Sequence, residues 1–287
     1  MAKSSPPYAL RHRESLRPGL IRILNTMGRD ARKLSEMPEN ELGESIHGLR
    51  ILIKRLRAYM WFLRPALGKS LYAKSNYKLS KAAQRLSSAR DLHAVASALT
   101  KAAAPQTDEK HLQALSHVSR AFALQTATAQ ESTPKVQPLD EVADSIIQSI
   151  SQLVKIAKEN ADKWPHSAHR IKKAFNQTRK AMKKSLRRKD VRFVHEWRKK
   201  AKRLFYLLQL TARLPHANKP DCLNEVDELQ ETLGNFQDTV VAENHLRKSP
   251  PDTDATHIEH AVRLLQINRD LLLEDAHHHS RSIFENI

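Results

Sequence analysis

One ten-residue pattern occurs twice in this chain, and it restricts the fold more than any other feature of the sequence. Residues 47–56 (His-Gly-Leu-Arg-Ile-Leu-Ile-Lys-Arg-Leu) and residues 195–204 (His-Glu-Trp-Arg-Lys-Lys-Ala-Lys-Arg-Leu) share H-x-x-R-x-x-x-K-R-L at an offset of 148 residues. A second match, between 86–91 and 233–238, follows at an offset of 147. The kept order and spacing predict a duplicated helical unit with approximate internal two-fold symmetry.

The repeated segments lie in a chain with helical periodicity throughout. Apolar residues recur at three- and four-residue spacing, and the strict alternation typical of strands is not sustained anywhere. Six glycines in 287 residues leave few sites for tight hairpin turns, and prolines separate the periodic segments. We therefore predict an all-α fold of nine helices. The predicted helices span 10–36, 40–64, 70–103, 108–131, 139–161, 166–188, 190–214, 221–247 and 254–280.

The polar, proline-bearing stretch 130–138 is the predicted join between the two copies of the unit. We place the first helical bundle at 9–133 and the second at 139–280, with about four helices in each, and we expect residues 1–8 to be disordered.

The charge of the chain indicates an anionic partner. The chain contains 49 Lys and Arg residues and 31 Asp and Glu residues, which gives a net charge of +18 and a pI near 10.1. The excess is uneven, because residues 160–214 hold 18 cations and three acids, whereas residues 219–275 hold five cations and thirteen acids. A basic block of this kind favours binding to a polyanion.

The first copy of the pattern is an amphipathic helix with a cationic face. With His47 at zero and a turn of about 100° per residue, Arg50, Lys54 and Arg57 fall at about 300°, 340° and 280°. Six apolar residues fall on the opposite side and are expected to be buried. These are Leu49, Leu52, Ile53, Leu56, Met60 and Leu63.

The second copy repeats this arrangement, with His195, Arg198 and Lys202 on one face. Its opposite face, expected to be buried, carries Trp197, Ala201, Leu204 and Leu208. Cations at one-turn intervals of about 5.4 Å suit a linear ligand with successive anionic groups. The preceding helix adds a basic stripe that is predicted to widen this face into a groove. Its residues include His169, Lys172, Lys173, Arg179, Lys180 and Lys183.

The sequence indicates a cytoplasmic protein. The single cysteine, Cys222, cannot form an internal disulfide, and neither a signal-peptide pattern nor a membrane-spanning run is present.

The sequence favours binding over catalysis. Glu44 and His47 have the E-x-x-H spacing of helical di-iron sites, but Arg192 stands at the position equivalent to Glu44. We predict no cofactor, no metal site and no enzymatic activity.

The two repeated motifs, H-x-x-R-x-x-x-K-R-L and then L-x-x-x-(R/Q)-D, resemble the CHAD family, the conserved histidine α-helical domain, over about residues 9–280. The resemblance implies two four-helix bundles related by internal symmetry, with a basic central groove that binds inorganic polyphosphate. It also implies association with polyphosphate granules. The E-x-E-x-K strand of the triphosphatase domains often fused to such proteins is missing here, so the resemblance is to a stand-alone member.

The resemblance also implies which residues bind the polymer. Carried over to matching positions, they are His47, Arg50, Lys54, Arg57, His195, Arg198, Lys202 and Arg203. In the second repeat, Phe205 takes the position of Arg57, and Gln237 takes the position of Arg90. Full symmetry of the two half-sites is therefore not expected. We interpret Asp91 and Asp238 as residues that orient a neighbouring cation or cap a turn.

Two other functions use the same charges. The cations could bind a nucleic-acid backbone, although aromatic residues are only 5% of the chain and no base-reading signature is present. Alternatively, the basic half of one copy could dock on the acidic 219–275 segment of another copy in a scaffold.

We predict that affinity, measured at fixed salt, rises with polyphosphate chain length and exceeds that for DNA or RNA of matched charge. Tighter binding to nucleic acid in the same titration would reject polyphosphate as the preferred ligand.

The sequence further predicts that Arg50→Ala together with Arg198→Ala weakens polyphosphate binding without unfolding the chain.

Overall fold

The computed structural model of the protein describes residues 8–103, 108–132, 139–159, 167–188, 190–213, 220–248 and 250–284. The described chain is all-helical and contains no strand. A short 3₁₀ turn at Glu39–Glu41 precedes the second helix. The helices are α1 (Leu16–Ser35), α2 (Leu42–Phe62), α3 (Arg64–Arg85), α4 (Ser87–Ala103), α5 (Glu109–Ser132), α6 (Leu139–Glu159), α7 (Ser167–Arg188), α8 (Val191–Thr211), α9 (Pro220–Lys248) and α10 (Ala255–Phe284).

The prediction of nine helices was wrong at one place. The segment 70–103, predicted as one helix, forms α3 and α4, which are separated at Leu86. Pro65 lies in the first turn of α3, where proline is tolerated because that turn lacks intrahelical acceptors for its N–H groups. Gly68 then bends α3 with a φ of 73°, a left-handed conformation that glycine adopts without steric cost.

Helices from both predicted bundles share the apolar core. The larger cluster of buried side chains includes residues of α1, α2, α3, α6, α7 and α8 and parts of α9 and α10, and the smaller one joins α4 and α5 to other parts of α9 and α10. Helix α6, which follows the predicted join, packs on α1 and α3. Most of the join itself, 133–138, lies outside the described residues. The division into bundles at 9–133 and 139–280 and their two-fold symmetry stay predictions.

Helices α2 and α8, which carry the repeated pattern, lie at the centre of this arrangement. Helix α2 contacts α1, α3, α4, α6 and α8. The predicted apolar faces of both helices are confirmed, since Leu49, Leu56 and Trp197 are fully buried and their apolar neighbours on the two faces are at most 3% exposed. Phe205, the residue at the position equivalent to Arg57, also belongs to this core. Burial of these faces fixes which side of each helix remains open to a ligand.

The N-terminal segment before α1 is fastened to the core. The Tyr8 hydroxyl donates a hydrogen bond of 2.6 Å to Asp30 Oδ2, and the Leu10 amide donates to the Leu210 carbonyl at 2.9 Å. The predicted disordered terminus therefore does not include Tyr8, whereas residues 1–7 lie outside the described chain. No helix in the described ranges is long and apolar enough to cross a bilayer.

Helix α10 supports α8 through a stacked pair of rings. The His277 imidazole lies 5.0 Å from the buried Trp197 ring, with 18° between the ring planes. Burial, and to a lesser extent the charge of Arg281, lowers the pKa of His277 below its usual value. The folded state therefore disfavours the protonated imidazole more than the unfolded state does.

This pKa shift predicts that the free energy of unfolding falls as pH decreases through about 6.5, the value for an unperturbed histidine. The substitution His277→Phe keeps an aromatic ring against Trp197 and removes the titration, so it should reduce the loss of stability between neutral and mildly acidic pH. Urea unfolding at several pH values measures this effect, with His278→Gln on the exposed neighbouring position as the control. An unchanged pH profile in His277→Phe would contradict it.

Candidate functional site

A cleft of about 870 Å³ opens where α2 and α8 pass each other. Its lining includes four long cations, two from each copy of the repeated pattern. They are Arg50 and Lys54 from α2, and Arg198 and Lys202 from α8. His47 also lines the cleft. The structure thus brings five of the eight predicted binding residues to one concave surface.

The remaining lining controls the shape and charge of the cleft. Gly48 on its wall lets the Leu34 side chain pack closely, because a Cβ there would lie 2.7 Å from Leu34 Cδ2. Three carboxylates also line the described part of the cleft, namely Glu44, Glu231 and Asp238. The cations therefore exceed the carboxylates by only one before His47 is counted, and a strongly positive potential must come from residues beyond the cleft.

Arg50 combines a place in the cleft with a structural role. Its Nη1 donates hydrogen bonds to the carbonyls of Ala83 and Leu86, at 3.2 and 2.9 Å. These carbonyls end α3, where helix C-termini leave acceptors without intrahelical partners and carry partial negative charge. Arg50 therefore closes the break between α3 and α4 and is held against the cleft wall.

His195 occupies a neighbouring pocket rather than the cleft. Its Nδ1 lies 2.7 Å from Gln237 Oε1. An amide oxygen can only accept, so Nδ1 is the donor in this hydrogen bond. The pocket has a volume of about 510 Å³ and also includes Arg192 and Glu196. Gln237, the departure noted in the second repeat, thus orients the histidine.

Three arginines form a second cationic cluster next to the cleft. Arg57 lies one turn beyond Lys54 on α2, and Arg203 and Arg170 stack on the Trp61 ring from 4.7 and 4.0 Å. The hydrogen bonds of these arginines go to neutral acceptors, which are the side-chain oxygens of Asn76 and Gln177 and the backbone carbonyls of Trp61 and Phe62. We call Arg57, Arg170 and Arg203 the arginine cluster.

Burial is the main influence on the pKa values of the arginine cluster. Burial lowers the pKa of Arg57, and burial together with the charge of Arg57 lowers that of Arg203. Burial, followed by the charges of Arg203 and Arg64, lowers the pKa of Arg170 to about 10. All three remain cationic at neutral pH, so this end of the α2–α8 crossing has a positive potential that favours anions.

The two repeat-equivalent arginines, Arg55 and Arg203, take different positions. Arg55 is buried and stacks on Tyr8 and Tyr206 at 4.3 and 5.1 Å, so it is a core residue. Arg203 stacks on Trp61 of α2 and stays partly exposed. Each arginine therefore packs on an aromatic ring of the opposite repeated helix. This reciprocal stacking links α2 to α8 where their cationic faces meet.

The basic stripe on α7 lies elsewhere. The described residues of α7 do not line the cleft, and the predicted stripe faces solvent on the outside of the protein. Its exposed residues are His169, Lys172, Lys173, Arg179, Lys180 and Lys183. Among the cations of α7, Arg170 on its apolar face reaches the crossing of α2 and α8, where Gln177 of α7 also accepts a hydrogen bond from Arg203.

Arg170 was missed in the sequence, although an arginine in register with Ala174 and Thr178 on the buried face was a usable signal. The side chains of Arg90 and Asp91 lie outside the described residues.

The fold and the cleft define an all-α protein in which two related helices present cations to a shared surface. The CHAD domain profile matches residues 29–247, well over half of the chain. The crystal structure of the CHAD domain from the plant Ricinus communis aligns with a TM-score of 0.63 and 18% sequence identity, over 100% of this chain and 97% of that chain. No curated protein is significantly similar in sequence. The chain belongs to the CHAD domain family, which confirms the resemblance seen in the motifs.

We expect Arg50→Ala to lower the free energy of unfolding by about 1–3 kcal/mol, because the carbonyls that end α3 lose a charged donor. Urea unfolding followed by circular dichroism measures this change. The control Arg120→Ala removes an exposed arginine of α5 and should stay within about 0.5 kcal/mol of the wild type. Equal stability of the two variants would contradict the structural role of Arg50. The double variant Arg50→Ala with Arg198→Ala therefore loses stability as well as binding contacts, so a lower affinity in it does not report on binding alone.

Proposed function

We propose that this protein binds inorganic polyphosphate without catalysing its turnover, and that the polymer lies between α2 and α8. The convergence of cations from the two repeats on one cleft carries this proposal. A linear anion in the cleft meets Arg50 and Lys54 on one side and Arg198 and Lys202 on the other. Arginine offers paired donors to phosphate oxygens, and lysine contributes a mobile positive charge.

The arginine cluster extends this binding surface beyond the cleft. Arg57 continues the row of cations by one turn from Lys54, and Arg203 follows Lys202 directly in the chain. The neutral acceptors around these arginines leave their charge available to a phosphate group. A polymer that runs from the cleft to the arginine cluster would therefore move from a region with carboxylates into one of stronger positive potential.

The carboxylates of the cleft are consistent with a positioning role. Asp238 lines the same cleft as Arg198 and Lys202, which supports our interpretation that it orients a neighbouring cation. Carboxylates also repel phosphate, so they would limit affinity and permit exchange of the polymer. This arrangement differs from a site for one tightly held phosphate, in which donors alone would surround the ion.

Polyphosphate fits these observations better than a nucleic acid does. The described lining of the cleft includes no Phe, Tyr or Trp side chain on which bases could stack, and the Trp61 ring near the crossing is covered by arginines. A polymer made only of phosphate needs no such surface. We further propose that the protein acts in the cytoplasm, in association with polyphosphate granules.

The double substitution Lys54→Gln and Lys202→Gln tests the cleft. Each lysine that contacts phosphate releases counterions on binding, so the slope of log affinity against log salt should become shallower by roughly 2 in the variant. At low salt we expect polyphosphate affinity to fall by about ten- to a hundred-fold, since each lost phosphate contact is worth about 1 kcal/mol or somewhat more. Calorimetric titration over a salt series measures both quantities.

The matched control is Lys69→Gln with Lys74→Gln, which removes two exposed lysines of α3 away from the cleft. It should bind as the wild type does, apart from a small general effect of net charge. Equal losses in both double variants would show that only total charge matters, and the cleft would then have no special role.

A further inference from the structure

The outer face of α7 carries a second group of cations that the cleft does not use. Helix α7 contains no acidic residue, and eight of its lysines and arginines are exposed. They are Lys172, Lys173, Arg179, Lys180, Lys183, Lys184, Arg187 and Arg188. They extend over about 24 Å of the helix. We call these eight residues the α7 face.

In the described part of the chain, the charges of the α7 face are not offset by acidic residues of neighbouring helices. Some cations elsewhere do pair with carboxylates across helices, as Arg32 does with Asp144 at 2.7 Å and Arg269 with Glu243 at 2.6 Å. Among the described residues, no cation of the α7 face has a carboxylate within ion-pair distance. Five of its members instead line one surface depression of about 420 Å³, namely Lys180, Lys183, Lys184, Arg187 and Arg188.

Helix stability does not account for this concentration of charge. Like charges three and four residues apart repel each other, and the α7 face contains several such pairs, including Lys180 with Lys184 and Lys183 with Arg187. The helix dipole favours cations only in the last turn, at Arg187 and Arg188. Helix α7 holds together through its buried side, which packs on α8. An anionic ligand would relieve the repulsion among the exposed cations.

The composition of the α7 face selects among anionic ligands. Leu186, 45% exposed, is the one large exposed hydrophobic residue of α7, so the apolar centre typical of a protein interface is lacking. Phe175 of α7 packs against Phe284, and the nearby Phe193 ring of α8 is already in contact with Lys184, whose Nζ lies 4.6 Å from the ring centroid, so neither ring is open for bases to stack on. The α7 face therefore matches a polymer that offers only negative charge.

We propose that the α7 face is a second polyphosphate-binding surface, so that one protein molecule bridges two polymer segments. This inference rests on the function proposed for the cleft. Because α7 does not line the cleft in the described structure, a segment on the α7 face and a segment in the cleft can be held at the same time. Segments from two chains would be crosslinked, and segments of one long chain would bind with increased avidity.

Four full-length proteins separate the two surfaces. The α7 variant carries Lys180→Gln, Lys183→Gln, Arg187→Gln and Arg188→Gln, which keep helix-compatible side chains and reduce repulsion, so the fold should be retained. The control carries Lys69→Gln, Lys74→Gln, Arg120→Gln and Arg263→Gln, which remove the same charge from other exposed positions. The wild type and the cleft variant, Lys54→Gln with Lys202→Gln, complete the set.

Two readouts apply to each protein. Calorimetry with short polyphosphate, no longer than the cleft, should give about two bound chains per molecule in the wild type and control, and about one in the α7 variant. Light scattering with long polyphosphate should show large crosslinked particles with the wild type and control and only small complexes with the α7 variant. Wild-type stoichiometry and wild-type scattering in the α7 variant would overturn the proposal.

The remaining outcomes distinguish the α7 face from the cleft and from a general effect of charge. If the cleft variant and the control both behave like the wild type and only the α7 variant loses a bound chain and the large particles, the proposed function of the cleft fails while the α7 face stands. If the α7 variant and the control lose scattering equally, total charge explains the effect and the α7 face is rejected. Matched-charge duplex DNA serves as a competing ligand, and loss of scattering by the α7 variant with DNA but not with polyphosphate would reject polyphosphate as the ligand of this face.

Discussion

The packing of α2 against α8 positions the cleft and the cations around it. Both helices bury an apolar face in one core, with Leu49, Leu56 and Trp197 fully enclosed. An amphipathic helix that buries one side must expose the other, so the cations of both repeats remain near the line where the helices meet. Reciprocal stacking of Arg55 and Arg203 on aromatic rings of the opposite helix strengthens the same contact. The core thereby determines where the cleft forms.

Charge is distributed in three different ways across the molecule. In the cleft, cations and carboxylates occur together, and Arg50 is fixed by the end of α3. In the arginine cluster, burial and mutual repulsion lower the pKa values of cations whose hydrogen bonds go to neutral acceptors. On the α7 face, exposed cations lack acidic partners within the described chain. A linear polyanion is a ligand that suits the cleft, the arginine cluster and the α7 face.

The sequence predicted the helices and their faces better than their arrangement. The apolar sides of α2 and α8 followed from periodicity alone, because helical geometry decides which residues share a face. The break at Leu86 was missed because the segment there lacks proline and glycine, although Ser87 and Ser88 are residues that favour a helix start. The placement of α7 was beyond the sequence, since a basic stripe looks the same whether its helix lines a cleft or faces solvent. Arg170 was overlooked because it departs from that stripe.

We propose that polyphosphate lies between α2 and α8 in contact with both repeats. A crystal structure of the protein with bound polyphosphate, in which the phosphorus positions are located, tests this proposal. We expect successive phosphate groups in the cleft, within hydrogen-bonding distance of Lys54 on one side and Lys202 on the other. A structure in which the polymer contacts only outer surfaces and leaves both lysines untouched would contradict it.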